Sequence, residues 1–232
     1  MGGSGTRFGA QIPKQFVLVN EKPIFSYILK GYQECEFVDC IAVVSHRDWA
    51  DYVTDWAKKL DISKLAVVCS GGATRSESVK NGLISLENAA EENDVILIHD
   101  ATHPYVDREG TKQVIDAVRE CGGATLGQCQ YDTVYRMNPE TMMLEQVIDR
   151  KTVVSGASPE AFLYEDIHRI YTHSSQEELE AMTSAGAIAL KYHIPMKVIP
   201  ANVLNLKITY QQDMDTFIQM ADSYFPEMFR ES

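Results

Sequence analysis

The sequence predicts an α/β protein on a mostly parallel, doubly wound Rossmann-like sheet, with ligands bound at the carboxyl ends of the strands. Three observations predict it: apolar runs without polar alternation, amphipathic stretches between them, and a glycine-rich turn with two cations close behind. The runs are Ile41-Ala42-Val43-Val44, Leu65-Ala66-Val67-Val68 and Val95-Ile96-Leu97-Ile98. Continuous apolar character of that length reads as a strand covered on both faces, as in a parallel sheet. Helices are expected over 24–33, 76–88 and 111–121, the last stopped by Gly122-Gly123. Strands alternating with helices give a layered sheet whose ligands sit where the strands end. The 232 residues suffice for a full core, and we expect one domain over 1–232 with a projecting arm at about 131–150. No internal repeat, low-complexity tract or long linker interrupts it.

At the start stand Gly2-Gly3-Ser4-Gly5-Thr6-Arg7 and then Pro13-Lys14-Gln15. Glycines without Cβ atoms let backbone amides approach a polyphosphate, and Arg7 and Lys14 supply cations for its charge. A dinucleotide fingerprint would need glycine where Phe8 stands, and a Walker A loop would need Gly-Lys-Ser/Thr where Pro13-Lys14 stands. A loop of this kind normally follows a buried strand, yet Met1 directly precedes Gly2. Either the expected sheet lacks its first strand, a segment of about six to eight residues, which is the reading favoured here, or the loop is anchored differently.

Further on, Gly71-Gly72-Ala73-Thr74-Arg75-Ser76-Glu77-Ser78 opens a helix. Its glycine amides and Ser78 suit the reading of a base, Arg75 suits orienting the loop, and Ser76 suits a plain N-cap. His99-Asp100-Ala101-Thr102-His103-Pro104 follows the strand ending at Ile98. A carboxylate there is placed to hold Mg²⁺ against phosphates, or to cap a turn. His99 and His103 lack a third zinc ligand at a recognisable spacing. Over 131–150, two short apolar runs flank Asn138-Pro139-Glu140-Thr141, a hairpin with a polar turn. Two strands alone are marginal, so the arm is expected to pack on a second chain. Asp149-Arg150, Ser158-Pro159-Glu160 and Asn205-Leu206-Lys207-Ile208-Thr209 add further polar groups in apolar contexts.

A net charge of −12 argues against nucleic acid and anionic membranes as partners, and makes any local cluster of cations more telling. No run approaches eighteen apolar residues and no charged-then-apolar leader opens the chain. Five cysteines without paired spacing fit a reducing cytoplasm.

In this order, Gly-Gly-x-Gly-x-Arg…Pro-Lys-Gln, Gly-Gly-x-x-Arg-x-x-Ser-Val, His-Asp-Ala-x-x-Pro, Asp-Thr, Asp-Arg, x-Pro-x-x-Phe and Asn-x-Lys-Ile-Thr resemble the cytidylyltransferases that act on methylerythritol phosphate or ribitol phosphate. The resemblance spans residues 1 to about 213. It implies CTP with Mg²⁺ or another divalent cation, a polyol phosphate acceptor, release of pyrophosphate, and a homodimer exchanging arms. It implies that Gly2, Gly3 and Gly5 wrap the triphosphate, with Arg7 and Lys14 on its charge. Gly72 and Ser78, in the loop oriented by Arg75, would recognise cytosine and ribose, and Asp100 would ligate the metal. Thr133 and Arg150 from the partner would grip the acceptor phosphate with Thr183 and the catalytic Lys207.

The departures fall on the acceptor side. His103 stands where the family has arginine, Ala157-Ser158-Pro159-Glu160 where it has Gln-Thr-Pro-Gln, and Ser184 where an aspartate is common. His103 and Ser158 are thus the chain's own acceptor-binding candidates. Residues 205–209 and the acidic stretch 177–180 lean towards ribitol 5-phosphate, which implies a CDP-polyol for cell-surface polymers such as teichoic acid or capsule. The alternatives are the methylerythritol phosphate enzyme of isoprenoid synthesis and a catalytically idle CTP-binding relative.

Overall fold

The computed structural model describes residues 12–181, 183–201 and 205–225. The expected glycine loop with Arg7 lies outside them. The described chain opens with a 3₁₀ turn, Lys14–Phe16, and a two-strand antiparallel ribbon, β1 (Leu18–Val19) and β2 (Lys22–Pro23). Then α1 (Ile24–Gln33) leads into β3 (Ile41–Ser45), α2 (Ala50–Lys59), β4 (Leu65–Ser70), α3 (Arg75–Ser85), β5 (Val95–Ile98) and α4 (Arg108–Cys121). Next come β6 (Gly123–Cys129), the hairpin β7 (Val134–Met137) and β8 (Leu144–Ile148), and β9 (Val154–Leu163). The chain closes with α5 (Tyr164–His173), α6 (Gln176–Glu180), α7 (Ala185–Lys191), β10 (Met196–Pro200) and α8 (Gln211–Tyr224).

Strand order is β10-β6-β9-β5 in one sheet and β3-β4 in another. The β10–β6 and β3–β4 pairs are parallel, whereas β9 runs antiparallel to both its neighbours. Helices cover both faces. On one side α1 and α2 pack on Ile41 and Val43, and α4 packs on β6, β9 and β10. On the other, α3, α5, α6 and α7 enclose Phe162 with Ile96 and Ile98. A fourth cluster joins Val19, Ile24 and Tyr27 to Ile208 and to Met214, Phe217 and Ala221 of α8.

The three apolar runs become β3, β4 and β5, and α1 and the end of α4 fall where expected. Gly122 ends α4 in the left-handed conformation, φ 98°, which a Cβ disfavours. Two details differ. Helix α3 starts at Arg75, and its N-cap is Thr74, which forms a reciprocal capping box with Glu77. Ser76 instead donates to the Leu179 carbonyl at 2.7 Å, tying α3 to α6. Burial of β5 is also less complete than its sequence predicts. All four residues are only half-buried, although Leu97 faces α1 and Ile96 and Ile98 face α3 and α5. Among the described residues no ladder joins β3 to β5, and a cavity of about 450 Å³ lies between them.

The hairpin forms as expected, with Arg136 paired to Glu145 at 3.2 Å. Asn138 shapes its tip by accepting from the Glu140 and Thr141 amides, a side-chain turn. Met142, Met143, Leu144 and Val147 stand exposed along it.

Candidate active site

Four distant stretches meet at the carboxyl ends of β4 and β5. Asp100, directly after β5, accepts from Arg75 Nε and Nη2 at 3.1 and 3.0 Å through Oδ1, and from Lys207 Nζ at 2.9 Å through Oδ2. Arg75 also reaches Glu160 at 3.4 Å. Burial alone would raise the Asp100 pKa. The Arg75 and Lys207 charges and hydrogen bonds outweigh that and hold it well below the usual carboxylate range. The carboxylate is therefore ionised at neutral pH. Among the described residues the Asp100 side chain caps no turn and is partnered by the two cations.

Lys14 joins from the other side of the sequence. Its ammonium donates to the Ile208 carbonyl at 2.6 Å, next to Lys207. The 205–209 segment is pinned at both ends: Ile208 N–H donates to the Thr102 carbonyl at 2.8 Å, and the Asn205 amide to the Gly156 carbonyl at 3.1 Å. Ile208, fully buried against α8, anchors it from beneath. Lys14, Arg75 and Lys207 thus surround one rim. Three cations against Asp100 and Glu160 leave positive charge in a chain that carries −12 overall, a local sink for an anion.

Glu160 was legible only as a departure. It is a structural hinge of the rim, because its carboxylate accepts from the Ala185 and Gly186 amides at 3.2 and 2.8 Å, at the start of α7. A Cβ on Gly186 would sit 2.9 Å from Glu160 Oε1, so glycine permits the approach. Thr183 stands just before this cap and is exposed, and Ser184 caps α7 through the Ala187 amide.

A hydrogen-bond chain fixes the histidines. His99 Nε2 lies 2.7 Å from the His103 carbonyl, which can only accept, so Nε2 carries the proton. Its Nδ1 then accepts from the Tyr32 hydroxyl at 2.7 Å. Both nitrogens are spent, so His99 has none for a zinc ion. Ser158 Oγ accepts from the Asp100 amide at 3.3 Å and is hydrogen-bonded to His103 Nδ1 at 2.6 Å. Burial first, and then His99 and Lys207, push the His103 pKa down to about 4. His103 is a neutral donor at pH 7, so it does not reproduce a guanidinium.

The Gly71–Ser78 loop is tightly folded. Gly72 N–H donates to Ser78 Oγ at 3.1 Å, and Ser78 donates to the Thr74 carbonyl at 2.9 Å. A Cβ on Gly72 would fall 2.2 Å from that of Glu77. Gly72 and Ser78 thus hold the loop beside Arg75. Thr133 and Arg150 lie apart, at the base of the arm, where the Arg150 guanidinium donates to the Tyr131 carbonyl. Within one chain, then, Lys14, Gly72, Arg75, Ser78, Asp100, His103, Ser158 and Lys207 gather at one end of the sheets. No hydrogen bond or ion pair among the described residues ties Thr133 or Arg150 to them.

Among the described residues no helix is long and apolar enough to cross a membrane. The fold is similar to solved structures described as 4-diphosphocytidyl-2C-methyl-D-erythritol synthase. One, with a TM-score of 0.76 and 24% identity, covers 90% of this chain and 94% of its own. Another, from Anaerococcus prevotii, has the same score and identity and covers 97% and 94%. A ribitol-5-phosphate cytidylyltransferase of Lacticaseibacillus paracasei is 30% identical over 218 residues, 93% of each chain. A 2-C-methyl-D-erythritol 4-phosphate cytidylyltransferase of Thermotoga neapolitana is 29% identical over 213 residues, 92% of this chain and 90% of its own. The family described as IspD, 2-C-methyl-D-erythritol 4-phosphate cytidylyltransferase, matches residues 1–223, so this chain belongs to the IspD family of cytidylyltransferases.

Proposed function

We propose that this protein joins CTP to an open-chain polyol phosphate, with ribitol 5-phosphate as the favoured acceptor, giving a CDP-polyol and pyrophosphate. The convergence of Arg75 and Lys207 on Asp100, with Lys14 held on the neighbouring Ile208 carbonyl, carries the reading, because a rim of cations beside an ionised carboxylate suits phosphoryl transfer. An acceptor phosphate oxygen attacks the α-phosphorus of CTP, the bond from that phosphorus to the β-phosphate's bridging oxygen breaks, and pyrophosphate leaves. No covalent enzyme intermediate is required, so the protein's work is positioning and charge stabilisation. Lys14 and Lys207, with Arg7 from the amino-terminal segment, neutralise the charge on the pentavalent centre. Gly2, Gly3 and Gly5 wrap the triphosphate, and the Gly72–Ser78 loop faces the nucleoside.

A divalent ion fits the donor set in one way. No group of three or more metal-binding side chains is gathered among the described residues, so a cage of protein ligands is not built there. A single ionised, oxygen-donating carboxylate such as Asp100 suits Mg²⁺ that arrives on substrate phosphates. Bound there, the ion would draw charge off the α- and β-phosphate oxygens.

His103 and the Ser158 hydroxyl bonded to it face the acceptor as a neutral polar pair, suited to polyol hydroxyls. The exposed apolar residues of β7 and β8 support a homodimer in which each arm delivers Thr133 and Arg150 to the other protomer. Incubation with CTP, Mg²⁺ and ribitol 5-phosphate, methylerythritol phosphate or erythritol 4-phosphate, with pyrophosphate as readout, tests the reading. Preference for ribitol 5-phosphate supports it. Preference for methylerythritol phosphate moves the chain to the other named activity, and CTP binding without pyrophosphate makes it an idle relative.

A further inference from the structure

We propose that Glu160 is a positioning residue that acts through Arg75. By sharing the guanidinium, it keeps the Asp100 carboxylate able to take a divalent cation carried on substrate phosphates. This role rests on the reading of the rim as a CTP site, and neither Asp100 nor the lysines fill it.

Strand register brings the three residues together. β5 and β9 pair with Ile98 opposite Glu160, so Glu160 stands beside the point where the chain leaves β5 for Asp100. Arg75, the first residue of α3, reaches both acids. Its Nη2 lies 3.0 Å from Asp100 Oδ1 and 3.4 Å from Glu160 Oε2, and its Nε adds a contact to Asp100 Oδ1 at 3.1 Å. Lys207 takes the other oxygen of Asp100. A carboxylate offers about four lone-pair positions, and three N–H contacts from cations already point at this one. A divalent cation on Asp100 must compete with both side chains, and they are unequal competitors. The Lys207 side chain is 52% exposed and ends in a flexible point charge, able to swing to a phosphate. Arg75 is 36% exposed, rigid and doubly attached. How far it releases Asp100 depends on where else the guanidinium can turn, and Glu160 is the second carboxylate within its reach.

Glu160 is held in place for this task. Its side chain is 16% exposed, and the Ala185 and Gly186 amides fix the carboxylate from the side of α7. The guanidinium therefore turns between two acids, and Glu160 does not follow it. Tyr171, fully buried in α5, lies near enough for the charges of both Arg75 and Glu160 to act on its hydroxyl. The pair thus sits against the interior, where charges are screened less than at an open surface. With Glu160 present, Arg75 and Lys207 balance two carboxylates. A neutral side chain of the same length would leave one positive charge over beside Asp100, and that charge would repel an incoming cation. Capping of α7 alone does not explain the geometry, because the oxygen that meets the Ala185 amide is also the one that meets Arg75.

The test reads CTP affinity by calorimetry at pH 7, once with CTP premixed with Mn²⁺ and once with a chelator, in the parent and three variants. The ratio of the two affinities reports the cation's contribution without any turnover. Glu160→Gln keeps the side-chain length and an acceptor for the amides, and should cut the ratio by about tenfold. Glu160→Asp keeps the charge and should lose less of the ratio than Gln does. Ser184→Ala loosens the start of α7 through its bond to the Ala187 amide, leaves Arg75 untouched, and should not change the ratio. Equal ratios in the parent and Glu160→Gln would overturn the proposal. So would a fall in Ser184→Ala as large as that in Glu160→Gln, since Glu160 would then serve α7 alone. An unchanged ratio in Glu160→Gln, beside a parent that binds CTP and releases pyrophosphate, removes this proposal and leaves the assigned activity standing. A parent that binds no CTP removes both.

Discussion

His103 offers the sharpest check on the electrostatics of this site. Its ring is 9% exposed, hydrogen-bonded to Ser158, and lies close to His99 and Lys207. Burial and those neighbours bring its pKa to about 4, against roughly 6.5 in an unfolded chain. The folded state thus resists a proton that the unfolded state accepts. The associated stability is fully present above pH 6.5 and is lost as pH falls through 4. A difference of about 2.5 pKa units corresponds to about 3 kcal/mol over that window. His99, also shifted down by burial, adds to the slope with the same sign. Asp100 acts at lower pH, since its stabilisation is lost only as pH falls below the ordinary carboxylate range. Urea unfolding at pH 7, 6, 5 and 4 of the parent and of His103→Gln isolates the contribution, because Gln keeps an acceptor for Ser158 but does not titrate. The gap between the two stability curves should change by about 3 kcal/mol, with the parent losing more. Parallel curves, or a His103 ring titrating near 6.5 by NMR, would refute this account.

Three further outcomes are expected. Lys14→Ala should cut turnover by on the order of a hundredfold or more while CTP affinity falls less, since the cation acts mainly on charge in the transition state. Equal losses in affinity and kcat/KM at unchanged kcat would show uniform binding instead. Mixing an inactive Lys14→Ala chain with an inactive Arg150→Ala chain should restore activity in heterodimers with one intact site, and a fully active monomer would remove the arm from the reaction. Glu160→Gln should cost about 1–2 kcal/mol, because it weakens charge-assisted hydrogen bonds to the first amides of α7 and the ion pair with Arg75. A midpoint unchanged in thermal unfolding would count against that role.

The elements most legible in the sequence were those specified locally. β5 and β3 are short apolar runs, α4 ends at a glycine with positive φ, and the hairpin turns on Asn138-Pro139. Each signal lies within a few residues of the structure it dictates. Ser76 shows where local reading fails. A serine near a helix start suits an N-cap, but Thr74 with Glu77 forms the reciprocal pair, and the hydroxyl of Ser76 is drawn off by a carbonyl 103 residues away. Burial of β5 failed for a related reason. The composition of a strand reports which faces helices cover, but not whether both its edges have neighbours.

The same distinction separates the nucleotide side of the site from the acceptor side. Glycines and cations in the loops after strands announce a phosphate site because backbone amides and fixed charges need little else. The acceptor side depends on pairings across the fold. Glu160 is an isolated acid in sequence, yet in space it holds the start of α7 and shares Arg75 with Asp100. His103 is an isolated imidazole in sequence, yet in space Ser158 holds its Nδ1, and burial first, then His99 and Lys207, keeps it uncharged. Relative to an arginine and a glutamine at these two positions, this chain gives up one positive charge at His103 and gains one negative charge at Glu160. On the proposed reading, the rim facing the acceptor is therefore less positive by two unit charges, although Glu160 directs its carboxylate into amides and Arg75. A site changed in this way binds a phosphate dianion more weakly through charge and relies more on neutral donors to hydroxyls. That balance favours an acceptor with a long row of hydroxyls over one with a methyl-branched, shorter chain. Returning the charge with His103→Arg should accordingly raise kcat/KM for ribitol 5-phosphate chiefly through KM, with the gain shrinking as salt screens the phosphate. A gain confined to kcat and indifferent to salt would place His103 on the reacting atoms and not on the acceptor's charge.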